Sequence, residues 1–168
     1  MSDESNNAGA AGQTAQPAPQ QPPNIQIVAH YIRDLSFENV AAQEGSNAEG
    51  QPEINVTVNL DASGGPENRY LVSMKVNALA KAGGNTRFIV ELDYVGIFSV
   101  TNVQQEHVHP ILFIECPRQL LPYARRVVSD VTRDGGYPPL MLDNVDFASL
   151  YRQKLEEMRA QQNQTPAN

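Results

Sequence analysis

His107-Val108-His109 offers two imidazoles at a spacing that could hold a metal ion. A structural metal site shows four ligands at recognisable steps, and no third ligand is placed near this pair. It reads as a polar loop or a helix start. Cys116 and His109 could be taken for a nucleophile and its base. A thiolate needs an electropositive, accessible setting, whereas Cys116 closes the apolar run Ile111-Leu112-Phe113-Ile114 with Glu115 beside it. Asp34 and Glu38 could be paired carboxylates for acid–base work, but nothing around them suggests a cleft. Gly83-Gly84 and Gly135-Gly136 lack the Lys-Ser/Thr ending of a phosphate loop and read as turn glycines. No convergent set of titratable groups can be assembled, which is what an enzyme with a small-molecule pocket requires. The expectation is a binding protein, not an enzyme, with no metal and no cofactor.

The composition agrees with that class. The chain has 168 residues, 40% hydrophobic, enough for one domain with a real core. Its formal net charge is -7. An acidic surface argues against a nucleic-acid partner, whose phosphates demand a basic footprint, and it suits a basic protein or peptide. One cysteine permits no intramolecular disulfide, which fits a reducing compartment. No apolar run has the length of a membrane span, and the start lacks the basic and apolar regions of a signal peptide. The expectation is a cytoplasmic protein without membrane insertion.

The elements that must carry any site follow from periodicity. Residues 1–23 are rich in Ala, Gln, Pro, Asn, Gly and Ser. They cannot bury enough apolar area to offset their ordering entropy, so a disordered tail is expected there and again at 161–168, around a domain at 24–160. Four strands are predicted: Ile25 to Ile32, Ile54 to Asp61, Tyr70 to Ala80 and Thr86 to Phe98. The second alternates strictly, with Ile54, Val56, Val58 and Leu60 on one face. Short Gly-rich connections at Ala62–Pro66 and Ala82–Asn85 make the last three an antiparallel meander. The polar stretch Val40 to Gln51 is long enough to be mobile or to cross a sheet edge. Ile111 to Cys116 is expected to be helical. Pro117 suits a helix start because its missing N–H would be unpaired there anyway. Leu120, Leu121, Ala124, Val127, Val128 and Val131 then form a stripe at helical spacing, ended by Gly135-Gly136. A last helix starts near Asp146, a good N-cap residue. Strands followed by helices indicate an α+β fold, a four-stranded antiparallel sheet with helices packed on one face.

The fourth strand has two unlike faces. Phe88, Val90, Leu92 and Tyr94 form one, and Arg87, Ile89, Glu91 and Asp93 the other. By pattern alone the first is core and the second a solvated face.

Three blocks of this sequence resemble the SecB family of bacterial export chaperones. They are Tyr31-Ile32-Arg33-Asp34-Leu35-Ser36-Phe37-Glu38, the stretch Phe88 to Phe98 ending in Gly96-Ile97-Phe98, and Leu121 to Tyr151 with its Gly136-Tyr137-Pro138 turn. The resemblance implies a chaperone that binds unfolded secretory precursors without ATP and delivers them to the motor SecA. It implies a homotetramer, a dimer of dimers, in which the face carrying Val90, Leu92 and Tyr94 contributes to subunit assembly. It implies a SecA-binding set of Asp34, Glu38, Ile89 and Glu91, docking the motor's basic, zinc-containing C-terminal tail. Asp93 stands where the family often has an uncharged residue. It implies a client-binding groove between sheet and last helix, with Phe88, Tyr123 and Tyr151 at matching positions; each could be ordinary core instead. A SecB-like chaperone devoted to another client, such as an antitoxin, is the alternative.

Overall fold

The computed structural model describes residues 21–45 and 50–164. The tail expected at 1–23 lies outside them up to residue 20. Strands β1 (Asn24–Glu38), β2 (Glu53–Gly64), β3 (Arg69–Ala82) and β4 (Asn85–Thr101) form one antiparallel sheet in the order β1-β4-β3-β2. The last three make the expected meander. The chain between β1 and β2 passes from one edge of the sheet to the other and carries a short helix, α1 (Val40–Glu44), that the polar composition had hidden. Asn39 caps it by accepting from the Ala42 amide at 3.2 Å.

Strand β1 is longer than its pattern predicts, because two bulges interrupt its alternation. Pairing with β4 slips between Ile27 and Ala29 and again between Ile32 and Asp34, leaving Val28 and Arg33 as the extra residues. A period-two reading loses the strand at such points.

After β4 the chain becomes helical: α2 (Gln105–Pro110), a π-helical turn (Ile111–Glu115) and α3 (Cys116–Asp134) run on without a break. The wide turn has a local cause. Pro117 in the first turn of α3 offers no N–H, and the Cys116 amide instead reaches Ile111 O, five residues back. Gly135 and then Gly136, at φ 85°, end α3. The last helix, α4 (Phe147–Gln164), starts one residue after Asp146 as expected. It continues through Gln161–Gln164, where a disordered tail was expected; residues 165–168 lie outside the described part.

The helices cover one face of the sheet. Val72, Met74, Val76, Phe88, Val90, Leu92 and Phe98 meet Leu120, Ala124, Val127 and Val128 of α3 and Phe147 of α4 in a single core. The close approach of α3 requires Gly96: a β-carbon there would lie 2.7 Å from Leu120.

Candidate functional site

Strand β2 is a free edge. Among the described residues it pairs with β3 and has no neighbour on its other side. Ile54 and Val56 lie on its helix-facing side, yet both stay 38% exposed. The opposite wall is the extended connection from α3 to α4. Three contacts hold that wall in place. Thr132 Oγ1 accepts from the Leu140 amide at 2.9 Å, Arg125 Nε donates to Leu142 O at 2.7 Å, and the Tyr137 hydroxyl donates to Asn39 Oδ1 at 2.8 Å. Met141 stands on the wall 62% exposed. Between edge and wall lies a groove of about 540 Å³ lined by Ile54, Val56, Val58, Leu140, Leu142 and Leu150 among others. It continues past Val58 and Leu150 into a smaller recess of about 260 Å³ floored by Phe113, Tyr151 and Lys154.

Such a groove can take apolar side chains of an extended segment, while the unpaired backbone of β2 can add it as a strand. Its mouth is acidic, with Asp143 and Asp146 on the wall. Hydrogen bonds from the Ser149 hydroxyl and amide hold the Asp146 carboxyl below the usual carboxylate range; these are the bonds that cap α4.

The other face of the sheet carries the acidic residues. The register puts Glu38 opposite Ile89, Ser36 opposite Glu91 and Asp34 opposite Asp93, and residues opposite one another in a sheet share a face. Asp34, Glu38, Ile89 and Glu91 therefore lie together on the face away from the helices. Asp34, Glu38 and Glu91 are exposed. Arg33, the cation next to Asp34 on β1, pairs with Asp93 and with none of these three carboxylates.

The sequence matches the family described as preprotein translocase subunit SecB over residues 18–158. The chain belongs to the SecB family. It is 50% identical over 170 residues to the protein-export protein SecB of Dinoroseobacter shibae, covering 99% of this chain and 98% of that one. It is 53% identical over 148 residues to the SecB of Ruegeria pomeroyi, covering 85% and 90%. Among solved structures, the SecB-like chaperone of Mycobacterium tuberculosis, in complex with a peptide from an antitoxin, superposes with a TM-score of 0.59. That likeness covers 73% of this chain and 91% of that one at 14% identity, and so concerns the fold alone.

Within this SecB-family chain, the residues expected to line one client groove are not brought together. Phe88 is 2% exposed, packed between Phe37 and Tyr137 with ring centroids 5.9 and 4.7 Å away. It is core and can touch no client. Tyr123 stacks on His30 of β1 at 4.1 Å, at the edge of the sheet opposite β2. Tyr151 alone lies in the groove, where its hydroxyl meets His109 Nδ1 at 2.9 Å. The sequence places Ile54, Val56 and Val58 of the groove's lining on one strand face without marking that face as a groove. Strict alternation cannot tell a covered face from an uncovered one. The available signal was Pro138-Pro139, which keeps the next residues extended and off β2.

The residues expected to contribute to subunit assembly lie inside the subunit. Val90, Leu92 and Tyr94 are 0, 2 and 4% exposed beneath the subunit's own helices. Within the subunit they are core. Burial and then the neighbouring Glu115 push the Cys116 thiol up to about 12, far from a reactive thiolate. Among the described residues no three His, Cys, Asp or Glu converge as a metal site, and no helix is long and apolar enough to cross a membrane.

Proposed function

We propose that this chain is an ATP-independent holdase that binds unfolded secretory precursors in the cytoplasm and passes them to SecA. As a member of the SecB family it is a protein-export chaperone. The observation that carries the mechanism is the apolar groove lying along a free strand edge. Apolar side chains and an unpaired backbone are what every unfolded chain presents and what a folded one has buried. Binding of this kind needs no catalysis and no cofactor, so the chain works as a binding protein and not an enzyme. Each groove contact is weak, and several grooves on one assembly would hold a long client by avidity.

Homotetramer formation as a dimer of dimers is part of the same reading. Its support is the other edge of the sheet. Strand β1 has no neighbour beyond β4 among the described residues, and Val28, Tyr31, Ile32 and Leu35 along it are exposed. A long apolar edge strand is an aggregation hazard unless another chain covers it. The acidic face bearing Asp34, Glu38, Ile89 and Glu91 is the docking site for the basic, zinc-containing tail of SecA, with charge steering the encounter. Those exposed carboxylates on one face favour the export role over service to a single other client such as an antitoxin.

The test is binding of one slow-folding secretory precursor, presented unfolded and then folded, with no nucleotide. Tight binding of the unfolded form alone is expected. Equal binding of both forms would remove the holdase reading.

A further inference from the structure

Arg33 is the one residue on β1 whose charge opposes its surroundings. It is an extra residue at a bulge, immediately before Asp34 and on the acidic face. It does not pair with Asp34. Its Nε donates to Asp93 Oδ2 at 2.8 Å, its Nη2 lies 2.7 Å from the same oxygen, and Nη2 also reaches Ser73 Oγ at 3.2 Å. The other oxygen of Asp93 accepts from the Ser73 hydroxyl at 2.6 Å. Asp93 is thus fully engaged by a fork from one strand and a hydroxyl from another. Its side chain is 13% exposed and Ser73 is buried. The Arg33 side chain is 45% exposed, so the pair is sheltered on the Asp93 side only, and its charge-assisted hydrogen bonds hold it more firmly than a fully exposed ion pair.

Asp34 sits opposite Asp93 in the register, and Glu91 lies two residues along β4 on the same face, about 7 Å away by strand geometry. Either is within reach of a released arginine. The other charge facing Asp93 is Lys75, its exposed register partner on β3. Lys75 is separated from Asp34 by the whole width of β4. Arg87 shares this face but lies four residues along β4 from Glu91, at the Glu38 end, so Arg33 is the cation placed to neutralise Asp34 and Glu91 from within.

We propose that Asp93 is a specificity-determining residue of the acidic face: by binding Arg33 it keeps that cation off Asp34 and Glu91, leaving them for a basic partner. This rests on the reading of that face as the SecA docking site. Asp93 adds nothing to the face's net charge, because its own charge is spent on Arg33. What it adds is the availability of the others.

The test compares the full chain with Asp93→Asn and with the double variant Arg33→Gln/Asp93→Asn, each checked for an unchanged fold. The probe is the zinc-loaded C-terminal tail peptide of SecA, titrated by calorimetry at low salt. Asp93→Asn should weaken binding by about tenfold, one uncompensated charge at a steered interface, and the double variant should restore it. Affinity unchanged in the single variant, or a double variant as weak as the single, overturns the proposal, since a purely structural loss would not be rescued by removing Arg33. A crystal structure of Asp93→Asn separates this from failure of the docking reading. If the wild-type chain does not bind the peptide, Arg33 found on Asp34 or Glu91 upholds its sequestration by Asp93. Arg33 still held at Ser73 overturns it.

Discussion

The ammonium of Lys154 on α4 donates to the carbonyl oxygen of Leu60 on β2 at 3.1 Å while lying 4.5 Å over the ring of Phe113. One side chain thereby ties the last helix to the free edge of the sheet, at the closed end of the groove. A charged hydrogen bond and a cation–π contact act together there. Lys154→Ala should leave the core intact and lower stability by about 1 kcal/mol. Hydrogen exchange in α4 should quicken while exchange in β3 stays slow. Uniform acceleration across the sheet would mean that Lys154 supports the whole fold and not the clasp alone.

Val56→Asp addresses the groove directly. Val56 is part-exposed on an edge strand, so the fold should lose about 0.5 kcal/mol or less, as for ordinary surface substitutions. A carboxylate in the apolar floor should weaken unfolded-client binding by about tenfold, the equivalent of roughly 1.4 kcal/mol. Fluorescence anisotropy of a labelled unfolded precursor reads this. Undiminished affinity would place the client elsewhere.

Leu92→Arg separates core from interface. Leu92 is 2% exposed within the subunit, and an unpaired buried charge costs about 3–5 kcal/mol. Urea denaturation should show a large loss of stability. A stably folded chain with altered mass by light scattering would instead assign Leu92 to an interface.

Glu91→Lys reverses a charge on the face away from the groove. It should weaken binding of the SecA tail by tenfold or more and leave unfolded-client affinity within a factor of two or so. Equal loss of both would end the division of labour between the two faces.

Acidification should loosen the start of α4. The Asp146 carboxyl is held below the usual range by its bonds from Ser149, so its capping contribution is present at neutral pH. That contribution declines as pH falls below the unfolded carboxylate value and is lost through the lower folded one. The Ser149 amide, followed by NMR, should lose protection in that window, and Asp146→Ala should abolish the pH dependence.

Much of this molecule was legible wherever one period governed one element. The alternation of β2 and β4, the turn glycines at 83–84 and 135–136, and the Asp146 cap each follow from local rules, and the structure has them in place. What could not be read depends on which elements come to lie side by side. That β1 pairs with β4 is a long-range choice, and the bulge at Arg33 stands where the predicted strand stops, so that Asp34 to Glu38 was missed. The acidic set was expected from family resemblance alone, and what the register adds is that its members share one face, with Glu38 beside Ile89. Of the three aromatics expected in the groove, Tyr151 lies in it, Tyr123 stands at the opposite edge and Phe88 is buried, a division the sequence pattern does not show. Whether a tyrosine faces core, groove or edge is decided by the helix above it.

The two bulges of β1 act on side-chain facing as a pair of frameshifts acts on a coding sequence. Ile25 and Ile27 point toward the helices, then His30 and Ile32 do, then Leu35 and Phe37: odd, even, odd. The outer segments are in phase with each other and the middle one is out of phase. Val28 and Arg33 could both be deleted and every other side chain of the strand would keep its present face. A strand can therefore carry an extra residue although its pattern of facing is already committed to a core on one side. Arg33 is such a residue, a charge accommodated without turning its neighbours to the other face.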